Sequence, residues 1–309
     1  MPIVDRFRRI KALGSHKIRD FAVRPPAPAA NRHGLAIVCI VRNVAADIVE
    51  WIEFHRRAGA AHILVYDNGS TDRPGDVLRP YLDAGTVTIL PWRLAGEDAD
   101  TGRHITAQVT AYAHAITTFG GRFERMAFID VDEFMVPNGV ATLMEAIEQA
   151  GSPSNLSLPW HMFGHSDQET RPHGGVVRNF TRRAVLPYAR PDILLGFKCI
   201  VDPCRVTMVS VHYFRTEDLG DRTANAQGMI VPHAARKRPD FFTSGGIQLN
   251  HYYCMSRADL SKKIERGPVN FASADDYRKR VLGNVREIER ATETDLTAVE
   301  FIDKSLVRR

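Results

Sequence analysis

The sequence predicts an α/β fold with a mostly parallel sheet, and two observations support this prediction. Four continuous apolar runs are typical of buried parallel strands, at residues 35–41, 62–66, 86–90 and 126–136. Segments with helical periodicity separate these runs, at residues 45–59, 74–82 and 103–119. Strands and helices that alternate along a chain form parallel sheets with right-handed crossovers, so we expect this architecture in the first half.

Local signals mark the ends of these elements. The first helix carries a stripe at spacings of three and four, formed by Ile48, Trp51, Ile52 and His55. Gly59 is placed to end this helix, and Gly120 with Gly121 ends the third. We expect Trp51 and His55 to be structural, because they lie on the apolar face.

After Pro137 the pattern changes, and the second half is predicted to be mixed or antiparallel. One more helix is predicted over residues 139–150. Short strand-like runs then follow at residues 155–158, 196–201, 206–212 and 247–253. Residues 164–191 are predicted to be a long loop, and residues 256–290 return to a helical pattern with Ser256 as the N-cap.

Three parts follow from this organisation: a basic arm and Pro/Ala linker (1–34), a main domain (35–290) and a C-terminal helix or tail (291–309). In the arm, cationic residues such as Arg8 and Arg9 alternate with apolar ones such as Phe7 and Ile10. This pattern predicts a basic amphipathic helix on an anionic membrane surface. The alternative is an arm packed on the main domain.

Bulk composition narrows the functional classes. The 309 residues are 44% hydrophobic and 25% charged, which is ordinary for a soluble globular protein. The formal charge of +5 suits a polyanionic ligand but is too small to indicate nucleic acid, so we expect none as a partner. No apolar run approaches the ~20 residues that span a bilayer, and no export signal is evident. We therefore expect a cytoplasmic protein, peripheral at the inner face of the membrane, with reduced cysteines.

Three acids end the fourth apolar run: Asp130, Asp132 and Glu133. On an ideal strand Asp130 and Asp132 project to the same face. Paired hard oxygen ligands suit Mn²⁺ or Mg²⁺ holding a diphosphate. The alternative is an acidic cluster solvated in a loop. Open α/β sheets bind ligands beyond the carboxyl ends of their strands, where Arg42 and Asp67 also fall.

Several ordered motifs resemble glycosyltransferase family 92 and its bacterial relatives near family 2. They are Val41-Arg-Asn-Val-Ala-Ala-Asp-Ile-Val-Glu-Trp-Ile-Glu-Phe-His55, Tyr66-Asp-Asn-Gly-Ser-Thr-Asp72, Ala127-Phe-Ile-Asp-Val-Asp-Glu-Phe134, Leu158-Pro-Trp-His-Met-Phe-Gly164, Lys198-Cys-Ile-Val201 and Leu249-Asn-His-Tyr-Tyr-Cys-Met-Ser256. The resemblance extends to Lys262-Lys-Ile-Glu-Arg-Gly267 and covers residues 35–270. One departure is that the family usually has Lys-Asn-Glu where this chain has Arg42-Asn43-Val44.

The resemblance implies a GT-A fold, a nucleotide-sugar donor, a divalent metal and inversion at the anomeric carbon. Residues 35–137 would then bind the nucleotide sugar, and residues 138–290 the acceptor. Asp130 and Asp132 resemble the metal–diphosphate motif, and Asp67 the acid that meets the base or ribose. His251 resembles a late histidine that completes the metal shell, with His212 as its substitute. Galactosyltransferases among the family's members suggest UDP-galactose.

The remaining candidates come from position and residue type. For the donor we expect contacts from Arg42, Asn43, Asp67, Asn68, Ser70, Asp130 and Lys198, the last meeting phosphate oxygens. An aromatic platform for an acceptor sugar is predicted at Trp160, His161 and Phe163. The acids placed to take the acceptor proton are Glu133, Asp167, Glu217 and Asp218.

The sequence thus predicts a metal-dependent inverting glycosyltransferase that moves a sugar from a UDP-hexose to a glycan or polysaccharide hydroxyl. One alternative is a protein that holds a nucleotide sugar without turnover. Another is a metal-dependent phosphohydrolase or nucleotidyltransferase, although the chain has no Gly-x-x-x-x-Gly-Lys phosphate loop.

Overall fold

A computed structural model describes residues 17–94, 96–267 and 273–307. The predicted amphipathic arm lies largely outside the described residues. Strand β1 (Lys17–Ile18) pairs in parallel with β6 (His104–Ile105), and β2 (Asp20–Ala22) pairs with β12 (Val206–Ser210). The described part of the arm therefore packs on the main domain.

The first half is a parallel sheet flanked by helices. Its strands are β3 (Leu35–Val41), β4 (Ala60–Asp67), β5 (Val87–Pro91) and β7 (Arg125–Phe128), in the spatial order β7-β3-β4-β5. The connecting helices are α1 (Ile48–Arg57), α2 (Pro74–Asp83) and α3 (Ala107–Phe119). The prediction of a parallel α/β half is confirmed.

Strand β3 shows why these apolar runs are continuous. Its alternate residues Ile37 and Cys39 belong to one core cluster, and Ala36 and Val38 belong to another on the opposite face. All four side chains are fully buried. Because both faces are covered, the strand reads as an unbroken apolar run rather than an alternating one.

The second half extends this sheet with antiparallel and parallel neighbours. Its further strands in this sheet are β8 (Glu133–Asn138), β9 (Asn155–Phe163), β10 (Arg182–Ala184), β11 (Phe197–Val201), β14 (Arg222–Ala224), β15 (Ile230–Pro232), β16 (Gly246–Tyr252) and β17 (Thr292–Thr294). Strand β13 (Phe214–Thr216) pairs with β12 in a separate three-stranded sheet that also contains β2. Strand β11 lies antiparallel between β7 and β9, and β16 pairs antiparallel with β8 and parallel with β9. The predicted mixed half is confirmed, and the architecture agrees with the expected GT-A type.

The helices of the second half are α4 (Leu143–Gln149), α5 (Val176–Asn179), α6 (Pro191–Leu194), α7 (Arg257–Arg266), α8 (Ala274–Glu289) and α9 (Thr297–Val307). Short 3₁₀ turns lie at Gly120–Arg122, Pro203–Arg205, His233–Lys237 and Pro239–Phe241. Helix α9 packs on the main domain, where Phe301 contacts Phe54 with ring centroids 5.3 Å apart. No helix within the described ranges is long and apolar enough to cross a bilayer.

Two sequence expectations need correction. The run at 126–136 is not one strand, because β7 ends at Phe128 and β8 begins at Glu133. Asp130 and Asp132 therefore lie in a turn and not on one strand face. The helical pattern at 256–290 comprises two helices, α7 and α8, whose ranges are separated by Gly267 and by residues outside the described part.

Candidate active site

The turn between β7 and β8 is held by its own backbone and by α1. The Glu133 N–H donates to the Asp130 carbonyl at 3.0 Å, and the Asp130 N–H donates to Glu133 Oε2 at 2.7 Å. Trp51 Nε1 on α1 donates to the Glu133 carbonyl at 2.7 Å. His55 accepts from the Met135 N–H through Nε2. Trp51 and His55 therefore have the expected structural role, which is to fix the acidic turn against the sheet.

Asp130 is held by two protein donors. Lys198 Nζ donates to Oδ2 at 2.7 Å, and Gln108 Nε2 donates to Oδ1 at 3.1 Å. The Lys198 side chain is fully buried, and its Nζ also lies 3.5 Å from Glu133 Oε2. The predicted role of Lys198 on phosphate oxygens does not fit this position, because the ammonium is enclosed below Asp130. Lys198 instead neutralises the acidic turn from inside.

Glu133 is also enclosed, which argues against its predicted role as the base. Its side chain is fully buried and its Oε1 atom has no hydrogen-bond partner among the described residues. Burial raises the pKa of Glu133 well above its ordinary value despite the nearby Lys198 ammonium. A neutral, buried carboxyl group is poorly placed to reach a substrate hydroxyl.

Asp132 faces a different set of groups. His251 Nε2 lies 3.5 Å from Asp132 Oδ2, and Lys263 Nζ lies 3.7 Å from the same atom. Both distances exceed the 2.7–3.2 Å typical of N–H···O hydrogen bonds. Burial raises the pKa of Asp132, but the combined charges of His251, Lys263 and Lys198 leave it well below its ordinary value. Asp132 is thus an ionised carboxylate beside an imidazole.

The acidic turn borders a cavity of about 700 Å³, a size typical of small-molecule sites. Asp130 and Asp132 line it from the sheet, and Arg42 and Asn43 line it from the end of β3. Its other polar lining residues are Asp47, Arg171, Tyr252, Tyr253, Asp259, Lys262, Lys263, Arg266 and Tyr277. Parallel strand ends meet helix α7 here, at the edge of the sheet where the sequence predicts a ligand.

The remaining donor candidates form a hydrogen-bonded loop beside the cavity. Asn43 has a positive φ of 58°, and its N–H donates to Ser70 Oγ at 3.0 Å. The Ser70 N–H donates to Asp67 Oδ1 at 2.9 Å, and the Asn68 N–H donates to the Val41 carbonyl at 2.8 Å. Asp67, Asn68 and Ser70 do not line the cavity itself. They fix the shape of the loop that presents Asn43 to it.

The predicted aromatic platform is divided by the alternation of β9. His161 and Phe163 are buried in the interior, where burial lowers the pKa of His161 to about 3. Trp160 faces the other way and its ring lies between His251 and His212, with centroids 4.6 and 5.8 Å away. Trp160 alone of the three therefore lies next to the acidic turn.

Glu217 and Asp218 lie at the other end of the sheet. Asp218 Oδ1 accepts from Ser154 Oγ at 2.7 Å, and Ser154 directly precedes the first residue of β9. That end of β9 is aligned through β11 with the beginning of β7, whereas the acidic turn follows the end of β7. The structure does not bring Glu217 or Asp218 to the cavity. Asp167, the further acid considered, is exposed and pairs with Arg182.

A cluster at the cavity wall was not expected from the sequence. Arg171, from the predicted loop, pairs with Asp47 at the start of α1 and with Asp259 in the first turn of α7. Asp259 also completes a capping box with Ser256. The Ser-x-x-Asp spacing marks the helix start in the sequence, but no sequence signal places Arg171 between the two acids.

The side chains present fit a divalent cation with two protein ligands. Among the described residues no group of three His, Cys, Asp or Glu side chains surrounds one metal position. Asp132 Oδ2 and His251 Nε2 lie 3.5 Å apart and offer two adjacent ligand atoms, and each Asp130 oxygen accepts one hydrogen bond from a protein donor. Cations such as Mg²⁺ and Mn²⁺ accept one or two protein ligands and complete their shell with water and phosphate oxygens.

Comparisons with known proteins identify the family. The profile described as glycosyltransferase family 92 matches residues 37–266, more than half of the chain. A family 92 protein of Ricinus communis is 30% identical, over 64% of this chain and 34% of its own. One from Oryza sativa subsp. japonica is 27% identical, over 72% of this chain and 38% of its own. The chain therefore spans about a third of the length of these plant relatives.

A solved structure, S. aureus TarS 1-349 in complex with UDP, is similar at 15% identity and a TM-score of 0.33. The match covers 55% of this chain and 46% of that one, and we draw no functional conclusion from it. The match to the family 92 profile carries more weight, because it includes the acidic turn, His251 and helix α7 in one continuous range. The chain belongs to glycosyltransferase family 92.

Proposed function

We propose that this chain is a divalent-cation-dependent inverting glycosyltransferase that transfers a hexose from a UDP-sugar to a hydroxyl of a glycan or polysaccharide. The reaction class rests on membership of family 92. The observation that carries the site assignment is the ionised Asp132 beside His251 at the wall of a cavity of about 700 Å³. UDP-galactose as the donor, and inversion, follow from the family resemblance.

Asp132 and His251 are the residues we propose to hold the cation. When bound there, Mn²⁺ or Mg²⁺ would neutralise the diphosphate of the donor as a Lewis acid. Asp130 also lines the cavity, but Lys198 and Gln108 each donate to one of its oxygens, so we propose that it positions the turn rather than the cation. Asp130 and Lys198 then orient the turn that carries Asp132.

Transfer forms a bond from the acceptor oxygen to the anomeric carbon and breaks the bond from that carbon to the phosphate oxygen. The bonding electron pair leaves with the diphosphate, and the acceptor proton needs a carboxylate that faces the cavity. Besides the acidic turn, Asp47 and Asp259 are the described acids that line it. Arg171 pairs with both of these acids. Asp259 also bonds Ser256 as part of the capping box of α7, and these hydrogen bonds hold its pKa below its ordinary value despite burial, whereas the Asp47 side chain makes no capping hydrogen bond. We therefore propose Asp47 as the base.

Calorimetric titration of UDP and GDP into the full chain, with Mn²⁺ and with EDTA, tests the proposal. We expect UDP to bind more tightly than GDP, in a Mn²⁺-dependent way, and Asp132→Asn to lose this binding. Asp167→Asn is the matched control, because Asp167 is exposed and lies away from the cavity. Binding that is indifferent to Mn²⁺ and to Asp132 would rule out the site assignment.

Product analysis separates the proposal from its alternatives. We expect released UDP to depend on an acceptor glycan and to be matched by a lengthened product. Release of UMP and a sugar phosphate without acceptor would favour a phosphohydrolase. Mn²⁺-dependent binding with neither product would favour a protein that holds a nucleotide sugar without turnover.

A further inference from the structure

Helix α7 presents a cationic face to the cavity. Lys262, Lys263 and Arg266 all line it, and they follow Asp259 at spacings of three and four, so they share one side of the helix. Arg257 in the first turn is excluded from this face and pairs with the exposed Glu169 instead. The family match ends at residue 266, so this face lies within the matched range.

Lys263 is fixed in place. Its Nζ donates to the Tyr253 carbonyl and lies 4.0 Å from the centroid of the Tyr253 ring. The same atom is 3.7 Å from Asp132 Oδ2. These contacts hold an ammonium group next to the carboxylate that we propose as a cation ligand. Little side-chain entropy remains to be lost when an anion binds there.

No carboxylate in the part of the chain that the structure describes forms an ion pair with Lys262 or Arg266. Both side chains are exposed along the cavity, one turn apart. A row of three cations thus begins at Asp132 and runs along α7. A diphosphate carries more negative charge than a single phosphate and can pair with more than one of the three cations.

We propose that Lys262, Lys263 and Arg266 bind the two phosphates of the donor and stabilise the nucleoside diphosphate as it departs. The inference rests on the proposed function and extends it to a second wall of the same site. The electron pair of the broken bond leaves on the phosphate oxygen and adds one negative charge there. Lys263, which its contacts hold in place, and the two exposed cations beside it would stabilise this added charge and so favour the transition state over the bound donor.

Cations in the last turn of a helix also have an ordinary role, since they interact favourably with its carboxyl end. That role predicts an effect on stability and none on ligand binding. The two roles are therefore separated by measuring affinity for ligands with and without phosphates.

The test uses Lys262→Gln and Arg266→Gln, with Arg257→Gln as the control from the same helix. Each protein is titrated with UDP, uridine and inorganic pyrophosphate in the presence of Mn²⁺. We expect each cavity variant to weaken UDP and pyrophosphate by about fivefold and the double variant by about 25-fold. Uridine affinity should be unchanged, and Arg257→Gln should match the wild type throughout. Arg266→Lys should restore part of the lost affinity.

Variants that bind UDP and pyrophosphate as tightly as the wild type would overturn the inference and leave the proposed function intact. An equal loss of uridine affinity would also overturn it, because the residues would then support the fold of the pocket. A third outcome is that pyrophosphate binding depends on Lys262 and Arg266, but the protein shows no preference for a nucleotide. That result would support the inference and refute the proposed donor. Failure of the wild type to bind either phosphate ligand would overturn both.

Discussion

Asp130→Asn and Asp132→Asn are nearly identical changes in one turn, yet we expect different dominant effects. Asp130 is the counter-ion of the fully buried Lys198, with Nζ and Oδ2 2.7 Å apart. Removing one partner of a fully buried ion pair costs about 3–5 kcal/mol, and the 39% exposure of the Asp130 side chain lowers that cost because solvent screens the pair. Glu133 remains 3.5 Å from Lys198 and can ionise to replace the lost charge, so we expect about 2 kcal/mol for Asp130→Asn.

Asp132 has 28% of its side chain exposed, and its contacts with His251 and Lys263 are longer. We expect Asp132→Asn to lower the free energy of unfolding by about 1 kcal/mol. Its effect on the cation should be much larger. We expect Mn²⁺ affinity in the presence of UDP to fall by about 100-fold or more for Asp132→Asn. For Asp130→Asn, which acts through its neighbours, about tenfold is expected.

Urea unfolding followed by circular dichroism measures the first quantity, and free Mn²⁺ measured by electron paramagnetic resonance gives the second. Asp167→Asn serves as the control for both. If Asp130→Asn lost Mn²⁺ as severely as Asp132→Asn while keeping wild-type stability, Asp130 would be a direct ligand. The role that we give to Lys198 would then be refuted.

Three further outcomes are expected. Asp47→Asn should lower turnover by at least about 100-fold while UDP affinity stays within about threefold, which steady-state kinetics and calorimetry would check. Gly196→Ala should lower the free energy of unfolding by about 2–3 kcal/mol, because a Cβ would lie 2.1 Å from the Trp160 ring. The control is Gly283→Ala on α8, where a Cβ meets no atom within 4 Å. This control should raise the free energy of unfolding by about 0.5–1 kcal/mol, and urea unfolding measures both changes. Burial raises the pKa of Glu133 above its ordinary 4.5, so the stability of its protonated form is present below that pH and is lost as pH rises through the folded-state pKa. Glu133→Gln should therefore gain stability relative to the wild type as pH rises above about 4.5, and parallel curves would contradict this.

The strands and helices of the first half were predictable because burial on both faces of the sheet produces continuous apolar runs in the sequence. Strand β3 is apolar at every position and β4 nearly so, and α1 shows its buried stripe at regular spacing. The same feature concealed the acidic turn. Ile129 and Val131 are buried although they lie between strands, so the run reads as unbroken. The apolar character of side chains indicates burial rather than backbone conformation. A buried turn with apolar residues therefore resembles a strand in the sequence.

The acidic turn and Arg42 were predictable from the sequence, and the family resemblance includes Lys262 to Gly267, whereas the position of Arg171 was not predictable. Asp130 and Asp132 are two residues apart in the chain, and the family resemblance pointed to His251. Arg171 and Arg266 reach the cavity from segments that are far apart in sequence, and nothing in their neighbours indicates a shared wall. Conversely, Glu217 and Asp218 follow a strand end in sequence but at the opposite edge of the sheet. Strand direction, which a single sequence does not reveal for mixed sheets, decides this.

Charge pairing explains why the net charge of the chain does not locate its site. Lys198 and Lys263 each lie beside one aspartate of the acidic turn, so the sheet wall is close to neutral before any ligand enters. Arg42, Lys262 and Arg266 line the rest of the cavity, and none of the described carboxylates pairs with them. A diphosphate that enters therefore meets little repulsion on one wall and uncompensated attraction on the other. Because these three side chains are exposed, their attraction is screened by salt, whereas the partly buried pair of Lys198 and Asp130 is screened much less. Affinity for UDP should accordingly weaken as ionic strength rises while the turn keeps its structure.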